Sequence, residues 1–223
     1  MKINLLLLLT FLGIGGIFGQ SAFDAAKELS MKRSFDSSST ILISYIEDNP
    51  QRKYDVARAW WLYSYNLLQK GLLNEALTAN ETSLDMRRAL RSDAAAFNYL
   101  REAEIHLAAS KHELAFNAAY HGMELMIDDG RLYAELNFIC AISINGMGHH
   151  AEALSFAQTA LNIVSIELGT EHPLYSQYLY KTALLLLPAE KYEQARSYFI
   201  EAYQYSDNWF LDWRAYLFSI ARY

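Results

Sequence analysis

The chain is poor in the residues that cross-link or interrupt a fold. Its 223 residues include one cysteine, three prolines and ten glycines. A single cysteine cannot form a disulfide within the chain, and scarce proline and glycine leave little room for linkers or low-complexity segments. With 52% hydrophobic and 20% charged residues, the sequence has enough apolar surface for a packed core, which argues against intrinsic disorder. The composition therefore predicts a single domain whose elements are joined by short turns.

Motifs of the common enzyme classes are also missing. The sequence has no Gly-x-Ser-x-Gly nucleophile elbow, no phosphate loop with Gly-Lys-Ser/Thr and no Rossmann glycine fingerprint. The formal net charge is −6 and no basic patch is visible, which disfavours nucleic acid because phosphate neutralisation needs clustered cations. We predict a non-catalytic chain that has no cofactor and binds no nucleic acid.

Histidine and cysteine give two candidate reactive sites. His112 and His150 are 38 residues apart, a spacing that matches no short zinc-ligand motif, so we predict no metal site. Cys140 is either a reactive thiol or a small apolar core residue, and the second alternative is favoured because free cysteine is usually buried.

The amino terminus reads as a secretory signal peptide. Met1 to Asn4 carries one lysine, and the apolar run that continues to Phe18 is about 16 residues long. A helix needs roughly 20 apolar residues to span a bilayer, so a cleaved leader is favoured over a retained membrane anchor. We predict a signal peptide over residues 1–19, cleaved between Gly19 and Ala22, and an exported chain that is periplasmic or secreted and does not span the membrane.

Small residues recur in the remainder at a nearly constant period. The series Ala76, Ala115, Ala153 and Ala195 has separations of 39, 38 and 42 residues, and a fixed period of this size indicates a solenoid of helical hairpins. We number each hairpin so that this alanine is at position 20. The residues at three other positions of the four repeats can then be compared. In the four successive repeats, position 8 of the first helix is occupied by Ser64, Ala103, Ala141 and Ala183. The turn at position 15 is occupied by Gly71, Ser110, Gly148 and Glu190. Position 27 is occupied by Ser83, Gly122, Ala160 and Ala202.

One repeat also carries a recognisable opening motif. The segment Leu168-Gly-Thr-Glu-His-Pro173, followed by Ala195 in Lys-Tyr-Glu-Gln-Ala-Arg, resembles the kinesin-light-chain-like subclass of tetratricopeptide (TPR) repeats. The resemblance implies an all-α fold, a right-handed TPR-like α-solenoid of antiparallel helix hairpins with about four full repeats and an incomplete fifth. We expect residues 20–53 to form an amino-terminal helical cap or degenerate repeat, and residues 54–223 to form the solenoid.

The resemblance further implies a concave groove lined by the first helix of each hairpin. Its position 5 is aromatic in four of five repeats, and charged residues lie beside it, so the groove could hold a peptide or protein between aromatic anchors. The alternative is that the aromatics pack between neighbouring first helices. The predicted groove residues are Arg58, Trp61, Tyr65, Arg101, Glu104, Phe138, Tyr180, Lys181 and Phe218.

Two functions fit this sequence. The first is a non-catalytic scaffold that binds a protein or peptide ligand in the groove outside the cytoplasm. The alternative is the sensing arm of a larger protein, such as a CHAT-type peptidase or a signalling protein, whose effector domain lies beyond Tyr223. A glycan-binding protein that uses the aromatic ladder is a weaker third hypothesis.

The carboxyl terminus generates one prediction. A fifth hairpin begins near Leu217 and Ala221 and lacks its second helix, which leaves an apolar face without the polar cap that solenoids need. A lone capping helix, a covering partner or a longer polypeptide would explain this face, and we favour the last. For the chain alone, we expect self-association through this face, visible by light scattering as a mass above that of the monomer at high concentration; a strictly monomeric mass would contradict it.

Overall fold

A computed structural model describes residues 22–125 and 129–205, and every regular element in these two ranges is an α-helix. The predicted signal peptide and Phe218 lie outside the described residues. The helices are α1 (22–31), α2 (Phe35–Asp48), α3 (Lys53–Gln69), α4 (Leu73–Ala89), α5 (Ala95–Ala108), α6 (His112–Glu124), α7 (Gly130–Gly146), α8 (His150–Glu167), α9 (Pro173–Leu186) and α10 (Tyr192–Gln204).

The chain divides into two compact units, and the division falls within α5. Unit 1 ends at Arg101 and unit 2 begins at Glu102. In each unit, helices that follow one another along the chain pack side by side: α2 on α3 and α3 on α4 in unit 1, and α6 to α10 in succession in unit 2. This sequential packing is the pattern expected of helical hairpin repeats.

Small residues mark the places where helices approach closely. Every alanine, serine and glycine that the sequence places at positions 8, 20 and 27 is buried, and each of the alanines is at most 1% exposed. Larger apolar side chains fill the space around these contacts. In unit 1 they include Phe23, Leu42, Tyr45 and Leu62; in unit 2 they include Phe138, Leu179, Tyr180, Leu186 and Phe199.

The hairpin turns share one backbone geometry. Gly71, Ser110, Gly148 and Glu190 all have positive φ angles, between 56° and 90°. At each of them the chain makes the two hydrogen bonds of a Schellman motif: Leu72 N–H donates to Leu67 C=O, for example, and Gly71 N–H donates to Leu68 C=O. The substitutions at position 15 therefore leave the turn unchanged, although serine and glutamate adopt this conformation at a steric cost that glycine avoids.

The amino-terminal helices repeat this arrangement. Arg33 lies between α1 and α2 with φ of 60°, and Ser34 N–H donates to Leu29 C=O as in the other turns. Ala26 and Ser38 are fully buried, and they lie 38 residues before Ser64 and Ala76, the corresponding small positions of the next hairpin. The segment that the sequence assigns to a cap or degenerate repeat thus contains a helix pair in register with the repeats that follow.

The opening motif of the last hairpin is explained by its local geometry. Gly169 has a φ of +85° just after α8, a conformation that L side chains rarely adopt. His172 then caps α9, because its Nδ1 accepts a hydrogen bond from Leu174 N–H at 3.2 Å. Pro173 occupies the first turn, where a missing N–H costs nothing. Glycine, histidine and proline therefore each have a role in ending one helix and beginning the next.

Among the described residues, none of the helices combines the length and the apolar character needed to cross a bilayer.

The shared turn geometry predicts opposite effects for opposite substitutions. Glu190→Gly removes the steric strain of a glutamate in the left-handed conformation and should raise the free energy of unfolding by about 0.5–1 kcal/mol. Gly148→Ala introduces the same kind of strain and should lower the free energy of unfolding by about 1 kcal/mol. Denaturant unfolding of the two variants measures both. Changes of the same sign would show that the backbone angle does not control the stability of these turns.

Candidate functional site

Trp61 is the centre of the predicted site in unit 1. It lies on α3, is partly buried, and its indole N–H donates to Phe97 C=O at 3.0 Å, which fixes the ring against α5. Two guanidinium groups lie near its ring: the Cζ of Arg101 is 5.1 Å from the ring centroid and that of Arg87 is 5.7 Å away. Both distances are within the range of a cation–π interaction.

Tyr65 and Arg58 extend the same face. The guanidinium of Arg101 also lies 4.9 Å from the centroid of the Tyr65 ring, one helical turn along α3 from Trp61. Arg58 lies 4.5 Å above the ring of Phe23, and its nearest carboxylate oxygen, on Asp55, is 3.9 Å away. We call the set Arg58, Trp61, Tyr65, Arg87 and Arg101 the arginine–aromatic cluster.

Arg87 is held in the cluster by a buried amide network. Its Nη1 donates to Asn98 Oδ1 at 2.6 Å and to Ala94 C=O at 2.7 Å. Asn98 in turn donates to the backbone and side-chain oxygens of Asn80, and Asn80 donates back to Asn98 C=O. Asn80 and Asn98 are fully buried, and Arg87 is only 4% exposed. The network therefore fixes the guanidinium through neutral partners.

The guanidinium of Arg87 is largely removed from water by its surroundings. Burial lowers the pKa of its guanidinium to about 10, and repulsion from Arg58 acts in the same direction, while Tyr54 opposes them. Its Nε is buried and has no hydrogen-bond partner. At neutral pH the group is still charged, so the cluster contains a desolvated positive charge whose hydrogen bonds go to amide and carbonyl oxygens.

The predicted groove residues of unit 2 are arranged differently. Phe138 and Tyr180 are 2% and 6% exposed and belong to the hydrophobic core. Phe138 stacks on Tyr178 at 4.6 Å, and Tyr180 packs on Phe199 at 5.5 Å. These two rings pack between helices, which was the alternative to a role in the groove. They therefore present little surface to a ligand.

Lys181 is the accessible charge of this face in unit 2. Its Nζ lies 5.6 Å from the ring centroid of Phe138, and more than a third of the residue is open to solvent. The surrounding side chains still desolvate the ammonium and lower its pKa, an effect that the carboxylates of Glu135 and Glu104 oppose. Positive and negative charges are thus mixed around Lys181 in unit 2.

Sequence reasoning missed Arg87, because only first-helix positions were considered and Arg87 lies on the second helix α4. Its small or apolar neighbours Ala79, Ser83 and Leu84 would have placed position 87 on the buried face of α4, since residues three and four apart share a helix face. A buried arginine in a helix with no buried acid nearby in the sequence is a usable signal.

The other candidate residues have packing roles. Cys140 is fully buried and burial raises the pKa of its thiol to about 12, so the core interpretation applies. The ring of His112 lies directly against Gly146, where an added Cβ would be 2.5 Å from it, and His150 Nδ1 pairs with Asn145 Oδ1 at 2.7 Å. Within the described ranges, no three histidine, cysteine or acidic side chains are grouped closely enough to hold a metal ion.

Known proteins share this architecture. The sequence profile of the tetratricopeptide repeat family matches residues 137–207. A thermophilic TPR protein of Thermus thermophilus superposes over 92% of this chain and 100% of its own, with a TM-score of 0.71 and 18% identity. Kinesin light chain-type TPR-like repeats from Podospora anserina match 83% of this chain and 93% of theirs, with a TM-score of 0.66 and 11% identity.

A third similar structure is a Rap protein complexed with competence and sporulation factor. It superposes on 87% of this chain, with a TM-score of 0.76 and 12% identity, and the superposition covers 55% of the Rap chain. No curated protein sequence matches this chain significantly. The likeness at these identities shows the fold, which is an all-α arrangement of TPR-type hairpins.

The amide network generates a stability prediction. Asn98→Ala removes the partner of both Asn80 and Arg87 and leaves their buried polar groups unsatisfied, so it should lower the free energy of unfolding by about 2–3 kcal/mol. Asn162→Ala is the matched control, because Asn162 is exposed on α8 and its loss should change stability by less than about 0.5 kcal/mol. Equal effects of the two substitutions in denaturant unfolding would refute a structural role for the network.

Proposed function

We propose that the protein is a non-catalytic interaction module that works outside the cytoplasm and binds an acidic segment of a partner protein or peptide. The observation that carries this proposal is the arginine–aromatic cluster of unit 1, in which the guanidinium groups of Arg87 and Arg101 lie against the two partly open rings of Trp61 and Tyr65. Four of its five residues lie on the first helices α3 and α5, the face that the sequence predicts as the binding groove, and Arg87 approaches Trp61 from the second helix α4.

The charge of the cluster favours an acidic ligand. The hydrogen bonds of Arg87 go to neutral oxygens, and the carboxylate contact of Arg58 among the described residues, with Asp55, is long at 3.9 Å. A carboxylate on a ligand would supply a counter-charge in a partly desolvated setting, where charge-assisted hydrogen bonds to arginine are strongest. An anionic segment is therefore expected to bind more tightly than its neutral counterpart.

The aromatic rings supply the apolar part of the contact. Trp61 and Tyr65 are neither fully buried nor loose, because the indole is hydrogen-bonded to Phe97 and the guanidinium of Arg101 lies over both rings. Rings that are already fixed lose little side-chain entropy when a ligand covers them, and such aromatic anchors dominate many interfaces. The two residues would thus position an apolar side chain beside the acidic group.

One of the similar structures supports a binding role. The related Rap structure contains a bound factor, and the part that resembles this chain is about half of that protein. This resemblance also keeps the alternative function in view, in which the repeats are the sensing arm of a larger peptidase or signalling protein. The coding sequence downstream of Tyr223 separates the two: an effector domain there supports the alternative, and a stop codon excludes it.

A pair of substitutions tests the assigned surface. Arg58→Gln and Lys181→Gln each remove one positive charge from the first-helix face, in unit 1 and unit 2 respectively. We expect Arg58→Gln to weaken the binding of a fluorescent peptide of alternating glutamate and leucine by about tenfold, and Lys181→Gln to leave the affinity within about twofold of the original. Fluorescence anisotropy gives the dissociation constants, and thermal melting checks that both variants are folded.

The same titration contains its own chemical control. The peptide in which glutamine replaces glutamate should bind much more weakly, and added salt should weaken only the acidic peptide because it screens the charges. Equal affinity for the two peptides, or equal losses in the two variants, would remove the arginine–aromatic cluster from consideration as the binding site.

A further inference from the structure

Unit 2 contains a cleft that is separate from the first-helix face. It has a volume of about 410 Å³ and lies between the second helices α8 and α10, with α9 beneath them. Leu161 and Leu179 form its apolar floor and are 6% and 1% exposed. Its walls are polar, with Gln158 and Asn162 on α8 facing Tyr198 and Glu201 on α10. The volume suits a small organic group or a single long side chain.

Among the described residues that line this cleft, Glu201 is the one that carries a charge. One of its oxygens, Oε1, accepts a hydrogen bond from the Tyr175 hydroxyl at 3.1 Å. Burial raises the pKa of Tyr175 to about 12, and the bond to Glu201 contributes, so the phenol is protonated and donates at neutral pH. An ionised carboxylate offers about four acceptor positions. The tyrosine thus orients Glu201 and leaves acceptor positions for the N–H groups of a ligand.

Two tyrosine rings accompany this carboxylate. Tyr175 is fixed from behind by the ring of Tyr205, edge-on at a centroid distance of 5.2 Å. Tyr198 is held across the cleft, because its hydroxyl accepts a hydrogen bond from Gln158 Nε2 at 3.3 Å. The negative face of an aromatic ring attracts a cation, and the attraction increases where water is partly excluded. A carboxylate beside two fixed tyrosines is a combination that favours cations over neutral or anionic groups.

We propose that the cleft between α8 and α10 binds an organic cation, an alkylammonium or guanidinium group, with Glu201 as its counter-charge and Tyr175 and Tyr198 as its aromatic walls. None of the eight described residues that line the cleft is basic, so none of these side chains competes for the carboxylate. The cation is either a free amine or the side chain of a lysine or arginine on another protein. This site does not rest on the acidic ligand proposed for unit 1, because the two involve different residues and opposite charges.

The test is a titration of the whole folded chain with n-butylammonium, n-butylguanidinium and the neutral n-butanol, in which the NMR signals of the tyrosine rings are monitored. We expect saturable shifts with the two cations only. Glu201→Gln keeps the shape of the side chain and its acceptor for Tyr175 but loses the charge, and should weaken cation binding by about tenfold or more. Glu193→Gln is the matched control on the same helix, where the exposed Glu193 pairs with Arg196 and does not line the cleft.

Two further comparisons complete the test. Tyr198→Leu keeps an apolar wall but removes the aromatic face, and should weaken both cations while the melting temperature changes little. A lysine-containing peptide that binds more tightly than n-butylammonium identifies a protein side chain as the source, and equal affinity identifies a free amine. No saturable shift with either cation, equal shifts with n-butanol, or unchanged binding in Glu201→Gln would overturn the proposal.

Discussion

Close approach of neighbouring helices is the constraint on which this structure depends. Two helices can pack at short range only where both lack bulky side chains, and the chain provides such places at Ala76, Ala115, Ala153 and Ala195, all at most 1% exposed. Because each hairpin has these contacts at fixed distances from its turn, the period of the small residues sets the length of the helices. The left-handed residue in each turn then brings the second helix back along the first.

In unit 1, serine hydroxyl groups add hydrogen bonds to these close contacts between helices. Ser64 Oγ donates to Ala76 C=O, Ser83 Oγ to Ala57 C=O and Ser38 Oγ to Ala26 C=O, at 2.7–2.8 Å. A carbonyl has two lone pairs, so these oxygens can accept a side-chain hydrogen bond as well as their helical one. Serine is nearly as small as alanine and adds a directional bond between helices. In unit 2 the corresponding positions are alanine or glycine, and the contacts there depend on packing alone.

The sequence was sufficient for the parts of the fold that depend on periodicity. The spacing of small residues placed the hairpins, and the turns at Ser110 and Glu190 were found although neither residue is glycine. Side-chain direction was less accessible. Phe138 and Trp61 occupy the same repeat position, yet Phe138 is 2% exposed and Trp61 is only partly buried. The difference comes from neighbours such as Tyr178, which stacks on Phe138 from its own position on α9, and no period encodes such a neighbour.

The position of Arg87 is set by its own hairpin, whereas the direction of its side chain is set by the helix that follows. Its position on α4 is fixed by the hairpin, but its guanidinium reaches Trp61 only because Asn98 and Ala94, on and just before α5, supply its acceptors. Burying this charge is costly, and a purely structural position would be served by an apolar side chain of similar size. Here the cost is offset by the hydrogen bonds to Asn98 and Ala94 and by the ring of Trp61, whose centroid is 5.7 Å from the guanidinium carbon. Under the proposed function this charge would attract an anionic group through its field rather than through direct contact, because Arg87 is only 4% exposed.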